Sequence, residues 1–341
     1  MRVLVTGGAG YIGSILVRRL LAAGHAVRVV DRLFFGAESL ADMRTAVEVW
    51  VGDIRQISVR ELEGTAAVIN LAGISSVPTA EFKPEVTREM NVTGAVRLAQ
   101  ACVEAGVGRY LFASSCSVYD ADRADEESDV LLDETSPVRP VSIYARSKRE
   151  AELALLALAD RSFSPVILRM GTVYGFSPRM RYDLVINTLL KDALSRGCMV
   201  LQAGGETWRP VVEVRDAADA YVACLGAAPA VVDGQIFNVV FANFRVCEMA
   251  LRIREALRSL GIPTDVRAEY TQRKARSYRV SGRKLRAALG VGPTVSIEDS
   301  VTAAVHEIRG RGLTDFEDPN YYNIRRLERL EEAMAATMVT G

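Results

Sequence analysis

Tyr144 and Lys148, four positions apart, are the pair in this sequence whose types and spacing best suit proton transfer. On a helix such side chains lie on one face, one turn from each other. An ammonium group favours the ionised form of a nearby phenol, so we expect Lys148 to lower the pKa of Tyr144 from its usual value of about 10. Such a phenol takes a proton from a hydroxyl as hydride leaves the same carbon, or returns one to a ketone. The spacing also occurs by chance on exposed helices, so its meaning depends on the elements around it.

Two serines, Ser114 and Ser115, follow a predicted strand at residues 109–113. The carboxyl ends of strands are where open α/β sheets bind their ligands. A hydroxyl in the run 114–117 would lie at this edge and could hydrogen-bond the same reacting oxygen as Tyr144. These side chains predict a proton relay that needs neither a metal ion nor a histidine.

A glycine turn, Gly7-x-x-Gly10-x-x-Gly13, follows the apolar run 3–5 and precedes a helical pattern. Gly7 allows a sharp turn, Gly10 lets the backbone approach a pyrophosphate, and Gly13 lets the helix pack close to the sheet. The amides near Tyr11 and Ile12 and the positive end of the helix dipole then face the phosphates. This order of strand, turn and helix predicts a dinucleotide site. The alternative is a plain glycine turn in an α/β protein.

Asp31 ends the predicted second strand, about 20 residues beyond the glycine turn, which is the spacing of the ribose-binding acid in dinucleotide folds. A carboxylate there accepts hydrogen bonds from a ribose 2′-hydroxyl and repels a 2′-phosphate, which favours NAD over NADP. The neighbouring Arg32 would weaken that preference. Asp53 and Ile54 follow the third predicted strand and would meet the adenine, although a surface turn explains their spacing almost as well.

Apolar runs alternate with helical patterns through the first half of the chain, which predicts a parallel sheet covered on both faces. The fold class is therefore α/β: a doubly wound parallel sheet (Rossmann fold) with a smaller mixed α/β C-terminal lobe. We place the first domain at 1–171, with returns from about 210–240, and the smaller lobe with a C-terminal helix at 172–341. The predicted elements are strands at 26–30, 47–51, 67–72, 109–113, 165–169 and 235–240, and helices at 83–105, 143–159, 216–225 and 321–338.

An acidic segment interrupts this alternation at about residues 120–136. Runs of like charge are usually solvated loops. A loop of this length in a compact domain also commonly borders an active site. Both interpretations stay open at this point.

Composition narrows the functional classes. The 341 residues carry 42 basic and 42 acidic side chains, and this balance argues against a nucleic-acid partner. The five cysteines are scattered and odd in number, so neither a disulfide framework nor a zinc site is predicted. No leader pattern and no apolar run of membrane-spanning length is present, so we expect a cytoplasmic protein without a membrane partner.

Taken together, these motifs resemble the extended short-chain dehydrogenases/reductases of the NAD-dependent epimerase/dehydratase type, which act on nucleotide sugars. The resemblance covers about residues 1–310. It implies NAD as cofactor, a nucleotide-diphosphate sugar as substrate, and a homodimer formed by the helices at about 83–105 and 143–159. The matching motifs are the glycine turn, Asp31, Asp53-Ile54, Leu71-Ala72-Gly73, Asn91-Val92-x-Gly94, Ser114-Ser115-x-x-Val118-Tyr119, Tyr144-x-x-x-Lys148, Val173-Tyr174-Gly175, Arg209, Val214-x-Asp216 and Phe237-Asn238-Val239.

The resemblance also implies roles for individual residues. Ser115 would orient the sugar oxygen, Tyr144 would be the general acid/base, and Lys148 would bind the nicotinamide ribose. Arg209 and Arg276 would meet the substrate diphosphate, although an ordinary surface charge is the alternative for each. The predicted cofactor-binding residues are Gly7, Gly10, Tyr11, Ile12, Gly13, Asp31, Arg32, Asp53, Ile54, Leu71, Ala72, Gly73, Asn91, Ser114, Tyr144 and Lys148. The predicted substrate-binding residues are Ser115, Ser117, Thr172, Arg209 and Arg276.

Departures from the family pattern narrow the reaction. Cys116 and Ser117 occupy the positions where 4,6-dehydratases of the family carry Asp-Glu, and no acid and base for elimination are evident. Cys116 itself is better interpreted as a packed thiol than as a nucleophile. The leading hypothesis is an epimerase acting at C4 through a transient ketone, and the alternative is a reductase of 4-keto nucleotide sugars. A 4,6-dehydratase and a non-catalytic dinucleotide-binding regulator rank lower.

Overall fold

The structure is a computed structural model that describes residues 1–119, 130–270 and 276–340. Most of the predicted acidic segment, residues 120–129, lies outside these ranges. Within them, no helix is both long and apolar enough to cross a membrane. The strands are β1 (Arg2–Thr6), β2 (Ala26–Asp31), β3 (Val47–Val51), β4 (Ala67–Asn70), β5 (Arg109–Ser115), β6 (Leu131–Leu132), β7 (Ser164–Met170), β8 (Thr172–Tyr174), β9 (Cys198–Gln202), β10 (Trp208–Glu213), β11 (Ile236–Val239), β12 (Ala242–Arg245), β13 (Asp265–Glu269) and β14 (Arg279–Val280).

The α-helices cover both faces of the main sheet and build much of the second lobe. They are α1 (Tyr11–Ala22), α2 (Val77–Phe82), α3 (Pro84–Arg88), α4 (Ala95–Glu104), α5 (Ile143–Ala157), α6 (Val185–Arg196), α7 (Val214–Gly226), α8 (Pro229–Val232), α9 (Val246–Ser259), α10 (Arg283–Leu289), α11 (Ile297–Gly310) and α12 (Asn323–Thr340).

Seven strands form the main sheet in the order β11-β7-β5-β4-β1-β2-β3, with all neighbours parallel. Alternate residues of β1 show how both faces are covered. Val3 and Val5 pack in one apolar core with α1 and α7, whereas Leu4 packs on the opposite face with α4 and α5. This arrangement confirms the predicted doubly wound parallel sheet.

The strand order reverses between β1 and β4, so the chain leaves these neighbouring strands in opposite directions. Such a reversal opens a crevice at the carboxyl ends of the strands. Thr6 Oγ1 donates to Asn70 Oδ1 across the two strand ends at 2.7 Å. The loops that begin at Gly7 and Leu71 therefore leave side by side from this edge.

Two differences between the predicted and observed elements affect the site. β5 extends through Ser115, because its pairing with β7 continues to Ser115 and Met170. The helix predicted at 83–105 comprises α3, a π-helical segment at Glu89–Gly94, and α4. A π-helical segment is often found at a functional site, and here it contains Asn91.

A second apolar core lies in the C-terminal half, where α6, α9 and α11 pack on β9 and β10 through side chains such as Leu189, Met249 and Val301. The chain returns to the main core with α7 and β11, which contribute Tyr221 and Phe237. The predicted domain boundary near residue 172 stays a prediction.

Two segments that are remote in sequence pair beside the end of β5. β6, at the end of the acidic segment, pairs in parallel with β14, with Leu132 opposite Val280. Both side chains are buried together with Cys116 and Tyr119. Glu134, also from the acidic segment, accepts a hydrogen bond from the backbone amide of Asn238 at 2.7 Å.

Candidate active site

A cavity of about 480 Å³ lies at the carboxyl edge of the main sheet. It continues from the loop after β1 to the segment before β14. The described residues of the cavity include the glycine turn, Asp31, Ser115, Tyr144 and Lys148. The structure thus brings the predicted dinucleotide turn and the predicted proton relay into one space.

The glycine turn leaves no room for side chains. Gly7 has φ of +72°, and a Cβ placed there would lie 2.8 Å from the backbone nitrogen of Ala72. A Cβ on Gly13 would lie 2.2 Å from the carbonyl oxygen of Gly7. Gly10 caps α1 without a side-chain hydrogen bond, so the first amides of that helix remain available to a phosphate.

Asp31 lies where a ribose-binding carboxylate is expected. One oxygen accepts from the amide of Ala9 at 3.0 Å and the other from the amide of Leu33 at 2.8 Å. Burial raises the pKa of Asp31, and these amide hydrogen bonds oppose that shift. The carboxylate is therefore fixed in orientation at the cavity wall by the glycine turn itself.

Arg32 also lines the cavity, but its guanidinium contacts other groups. It lies 3.3 Å from Asp53 and stacks over the ring of Phe34 at 4.1 Å. Asp53 is absent from the described cavity wall, since Arg55 occupies both carboxylate oxygens. Its neighbour Ile54 does line the cavity. The adenine contact of Asp53 stays a prediction.

The loop after β4 is held by Asn91. Leu71, Ala72 and Gly73 line the cavity, whereas Asn91 lies behind them. The Asn91 side chain accepts from the Ile74 amide at 2.8 Å and donates to the Ile74 carbonyl at 3.0 Å. It thus supports the shape of the cofactor site rather than forming its wall.

Ser115 and Tyr144 form the centre of the site. Both side chains line the cavity, and Ser115 lies close enough to the Tyr144 phenol to lower its pKa. Tyr144 is placed by the start of α5, where the Ser142 side chain caps the helix by accepting from the Ala145 amide at 3.1 Å. A hydroxyl of a ligand at this point would meet two hydroxyl groups that can pass a proton.

The pKa of Tyr144 differs from the expectation. Burial raises it, and the Ser115 hydrogen bond and the nearby Arg181 cation oppose the shift. Lys148 Nζ lies 6.0 Å from the centre of the Tyr144 ring and donates to the Ala113 carbonyl at 2.8 Å. Burial also lowers the pKa of Lys148 to about 8. The predicted lowering of the Tyr144 pKa by Lys148 is therefore wrong for the protein without its cofactor, because desolvation of the phenol outweighs the charge.

A buried ion pair lies next to Ser115, Tyr144 and Lys148 and joins α5 to the main sheet. Glu152, one turn after Lys148 on α5, is paired with Arg169 of β7 at 2.7 Å, and both side chains are almost fully buried. Ser114 Oγ donates to Glu152 at 2.5 Å. Arg169 also donates to the Tyr119 hydroxyl at 2.7 Å. The predicted cofactor residue Ser114 thus lines the cavity and is anchored to α5.

The far end of the cavity carries Ser117, Thr172, Arg276 and Tyr278. The Ser117 hydroxyl is buried and has no hydrogen-bond partner among the described residues, which suits a contact with a ligand. Cys116 is a packed thiol as predicted: it is buried, and its Sγ donates to the Arg169 carbonyl at 3.2 Å.

Arg209 lies outside the described cavity wall. Its guanidinium donates to the backbone carbonyls of Trp208 and Arg276, and burial lowers its pKa. β10 pairs Arg209 with Phe244 of β12, which directs this part of the strand into the second lobe. Its contact with a diphosphate stays a prediction, as do the roles of the other predicted site residues.

Sequence reasoning missed a cationic loop that lines the cavity after β8. It contains Arg179 and Arg181, with Asp183 bound to Arg181 through two hydrogen bonds of 2.9 and 2.8 Å. Arg181 also donates to the Ser75 hydroxyl at 3.2 Å. Two arginines close together after Tyr174-Gly175 could have indicated an anion-binding loop. The sequence does not show, however, that this loop faces the cavity.

The cavity fits a dinucleotide on two observations. The turn leaves no room for a Cβ at Gly7 or Gly13, and Arg179 Nε is a buried donor without a partner among the described residues. Steric freedom at the turn and unmatched positive charge both suit a pyrophosphate. Among the described residues, no cluster of three or more His, Cys, Asp or Glu side chains is arranged to hold a metal ion.

The parallel sheet, the glycine turn and the Ser115–Tyr144–Lys148 site define an extended short-chain dehydrogenase/reductase. The model of the NAD dependent epimerase/dehydratase family matches residues 3–239. The chain belongs to that family, and NAD is its cofactor.

Three relatives show the range of reactions nearby. The UDP-glucose 4-epimerase of Mycolicibacterium smegmatis is 32% identical over 91% of this chain and 99% of its own length. The UDP-glucuronic acid decarboxylase 1 of Xenopus tropicalis is 25% identical over 90% of this chain and 72% of its own. A dTDP-glucose 4,6-dehydratase of Streptomyces venezuelae, solved with NAD bound, has a TM-score of 0.76 and 27% identity over 95% of this chain and all of its own. The comparisons support an NAD-dependent enzyme that modifies nucleotide sugars and leave the individual reaction to be argued from the site.

Proposed function

We propose that this chain is an NAD-dependent nucleotide-sugar epimerase that inverts C4 of its substrate through a transient 4-keto sugar. The observation that carries the proposal is that Ser115, Tyr144 and Lys148 line the same cavity as the dinucleotide turn. When bound, NAD supplies the acceptor and the donor of hydride. The protein must therefore orient one hydroxyl, remove its proton and return it.

Tyr144 is the group that moves this proton. In its phenolate form, Tyr144 would take the proton of the C4 hydroxyl as the ketone forms, and the resulting phenol would give that proton back as the alcohol is restored. Ser115 would donate a hydrogen bond to the same sugar oxygen and hold it at Tyr144. Lys148 lies one helical turn away and is almost fully buried. It would bind the nicotinamide ribose.

The carboxylates of the cavity argue against a dehydratase. Elimination of water needs an acid and a base beside the sugar in addition to the Tyr144 phenol. Among the described cavity residues, Asp31 and Asp183 carry carboxylates. The first is held by two backbone amides and the second by Arg181. Cys116 and Ser117, at the positions that carry acids in the dehydratases, offer a buried thiol and a hydroxyl.

Measurements of cofactor use separate the proposal from its alternative, a reductase of 4-keto nucleotide sugars. An epimerase restores its NAD in every turnover, so the purified holoenzyme would interconvert two sugars without added cofactor. A reductase would consume one reduced nicotinamide for each product. We propose UDP-galactose and UDP-glucose as the first pair to test, because UDP-glucose 4-epimerases are among the relatives.

The experiment follows this conversion by NMR in deuterated water. Epimerisation keeps the hydrogen already on the sugar carbon, so product without carbon-bound deuterium is expected. Loss of water with deuterium entering the product would identify a dehydratase instead. Tyr144→Phe should abolish conversion, whereas the matched Tyr174→Phe, which removes only a long 3.5 Å hydrogen bond to the Val295 carbonyl, should not. No turnover with a full panel of nucleotide sugars would contradict the proposal.

We also propose that the enzyme is a homodimer joined through the region of α3, α4 and α5. Exposed apolar side chains on these helices support this: Val86, Val103 and Leu153 are 39%, 39% and 53% exposed. Sedimentation at micromolar concentration should give a dimer, and Leu153→Asp should shift it toward monomer. A monomeric wild-type protein would overturn this part of the proposal.

A further inference from the structure

The C-terminal segment, residues 319–331, lies against the cofactor cavity although it follows the last helix of the second lobe. It begins beyond the residues that match the family model, which end at 239. Asn323, Arg326, Leu327 and Leu330 of this segment line the same cavity as Gly10 and Asp31. The protein therefore uses its last helix to form part of the wall of a site built by its first strand.

Three loops of the cavity are tied to this segment by hydrogen bonds. Asn323 Nδ2 donates to Ser75 in the loop after β4 at 2.9 Å. Arg326 Nε donates to the carbonyl of Phe34 in the loop after β2 at 2.6 Å. Arg179, in the loop after β8, donates to Asn323 Oδ1 at 2.6 Å. A further ion pair of 2.8 Å joins Lys83 to Glu331.

Arg179 forms no ion pair with a carboxylate among the described residues, although Asp183 and Asp31 lie near enough to raise its pKa. Its guanidinium lies over the ring of Phe35 at 3.7 Å, and the side chain is 6% exposed. The nearest carboxylate of its own loop, Asp183, is bound to Arg181 instead. Burial and the neighbouring Arg181 lower the pKa of Arg179 to about 9. A buried cation without a close counterion is unfavourable, and an anion in the cavity would relieve it.

We propose that the C-terminal segment is the outer wall of the NAD cavity, and that Asn323 aims Arg179 at the cofactor pyrophosphate so that bound NAD exchanges slowly. NAD carries its negative charge on the pyrophosphate, which would give Arg179 the ion pair that it does not form with any described residue. The apolar side chains of Leu327 and Leu330 would cover the bound cofactor from solvent. The proposal deepens the proposed function and rests on it, because an epimerase reoxidises its cofactor in place and has no need to release it.

The test measures cofactor retention rather than activity. Wild-type holoenzyme and variants are passed over a gel-filtration column, bound NAD is quantified, and its dissociation rate is followed by exchange with excess isotopically labelled NAD. Asn323→Ala releases the hydrogen bonds to Arg179 and Ser75. We expect it to speed NAD dissociation at least tenfold, which corresponds to about 1.4 kcal/mol.

A second variant separates the charge effect from misfolding. Asn323→Asp keeps the side-chain shape and places a carboxylate on Arg179, so a folded protein with faster NAD release is expected. The matched control is Arg329→Ala on the exposed side of the same helix, which should retain NAD like the wild type. Circular dichroism checks that each variant is folded.

The outcomes distinguish this proposal from the proposed function. NAD dissociation within twofold of wild type in both Asn323 variants would overturn the wall role, even if the enzyme is an epimerase. Faster release in both variants with no epimerisation of any nucleotide sugar would support the wall role and overturn the proposed reaction. Equal acceleration by Arg329→Ala would also overturn the proposal, because the effect would then not depend on the contacts of Asn323.

Discussion

Lys148 Nζ lies 6.0 Å from the centre of the Tyr144 ring, and its hydrogen bond goes to the backbone of β5 rather than to the phenol. Both groups are buried in the same part of the cavity, so each loses the solvation that would stabilise its charged form. Burial favours the uncharged form of each, which raises the pKa of Tyr144 and lowers that of Lys148 to about 8. Proton transfer at Tyr144 therefore depends on the charges that ligands bring into the cavity.

The first prediction concerns stability and pH in the protein stripped of NAD. Between the folded pKa of Lys148, about 8, and its unfolded value, the unfolded chain binds more protons than the folded chain. The contribution of Lys148 to the free energy of unfolding must therefore rise with pH in this window. Lys148→Met should remove a rise of about 2 kcal/mol between pH of about 8 and 10. Denaturant unfolding at several pH values measures it.

The control for this measurement is Lys83, which is half-buried and paired with Glu331 rather than enclosed in the cavity, since Lys83→Met should leave the pH dependence as it is. The comparison stops near pH of about 10, where Tyr144 begins to act in the opposite direction because its raised pKa keeps it protonated only in the folded state. Parallel stability curves for wild type and Lys148→Met would contradict the prediction.

The second prediction concerns Ser115. Its hydrogen bond lowers the pKa of Tyr144, so Ser115→Ala should raise that pKa and move the rising limb of kcat toward higher pH. Loss of a donor to the reacting oxygen should also lower kcat roughly 10²- to 10³-fold. Bound NAD should stay unchanged. Ser164→Ala, which removes a hydroxyl without a partner among the described residues, is the control. An unshifted pH profile would show that Ser115 does not act on Tyr144.

The third prediction concerns cofactor choice. Asp31→Asn keeps an acceptor for the Leu33 amide but removes the charge that repels a 2′-phosphate. We expect NAD binding to weaken by about 1.5–3 kcal/mol, the value of a hydrogen bond to a charged group, and NADP binding to strengthen. Fluorescence titration with both cofactors gives the ratio. Asp42→Asn, at an exposed carboxylate paired with Arg18, should leave the ratio at its wild-type value. Equal losses for NAD and NADP would exclude a role for Asp31 in the choice.

The fourth prediction uses two glycines in different surroundings. A Cβ at Gly13 would lie 2.2 Å from the Gly7 carbonyl, so Gly13→Ala should push α1 away from the turn and abolish NAD binding measured by calorimetry. Gly310 ends α11 with open space around its Cα. Gly310→Ala should bind NAD normally and be more stable by up to about 1 kcal/mol. Normal NAD affinity in Gly13→Ala would mean that the turn is not the pyrophosphate site.

The fifth prediction concerns the buried Glu152–Arg169 pair. Glu152→Gln leaves Arg169 buried without a counterion, which should cost about 3–5 kcal/mol of unfolding free energy. Adding Arg169→Met should recover much of that loss, because the uncompensated charge is gone. The control is Glu150→Gln on the same helix, whose partner Arg88 is exposed, and its cost should be below about 1 kcal/mol. Equal losses for the two glutamates would contradict the prediction.

Local patterns were sufficient to predict the sheet and one edge of the site. The glycine turn, Asp31 and the Tyr144–Lys148 spacing each depend on residues close in sequence, and the parallel order of the strands brings them together without further information. The same patterns predicted the wrong sign for the Tyr144 pKa. The spacing gives the distance between a phenol and an ammonium along a helix. The loss of solvation at each group depends instead on all the segments that surround the cavity, and these are distant in sequence.

The missed residues are those whose burial depends on long-range contacts. Arg179 and Arg181 lie in a loop whose sequence alone is typical of a charged surface. The helix predicted at 321–338 has apolar residues on one face, which include Ile324, Leu327 and Leu330. Such a pattern indicates that this face is buried, but it does not identify the surface against which the helix packs. That surface is set by hydrogen bonds to Ser75 and Phe34, about 250 and 290 residues away in sequence.

The pairing of β6 with β14 has a consequence for engineering. Exchanging only one of these two segments with a relative would leave an unmatched strand edge and misplace Leu132 or Val280 in their common core. A chimera intended to accept a different sugar should therefore transplant both segments together, as one module inherited from a single parent.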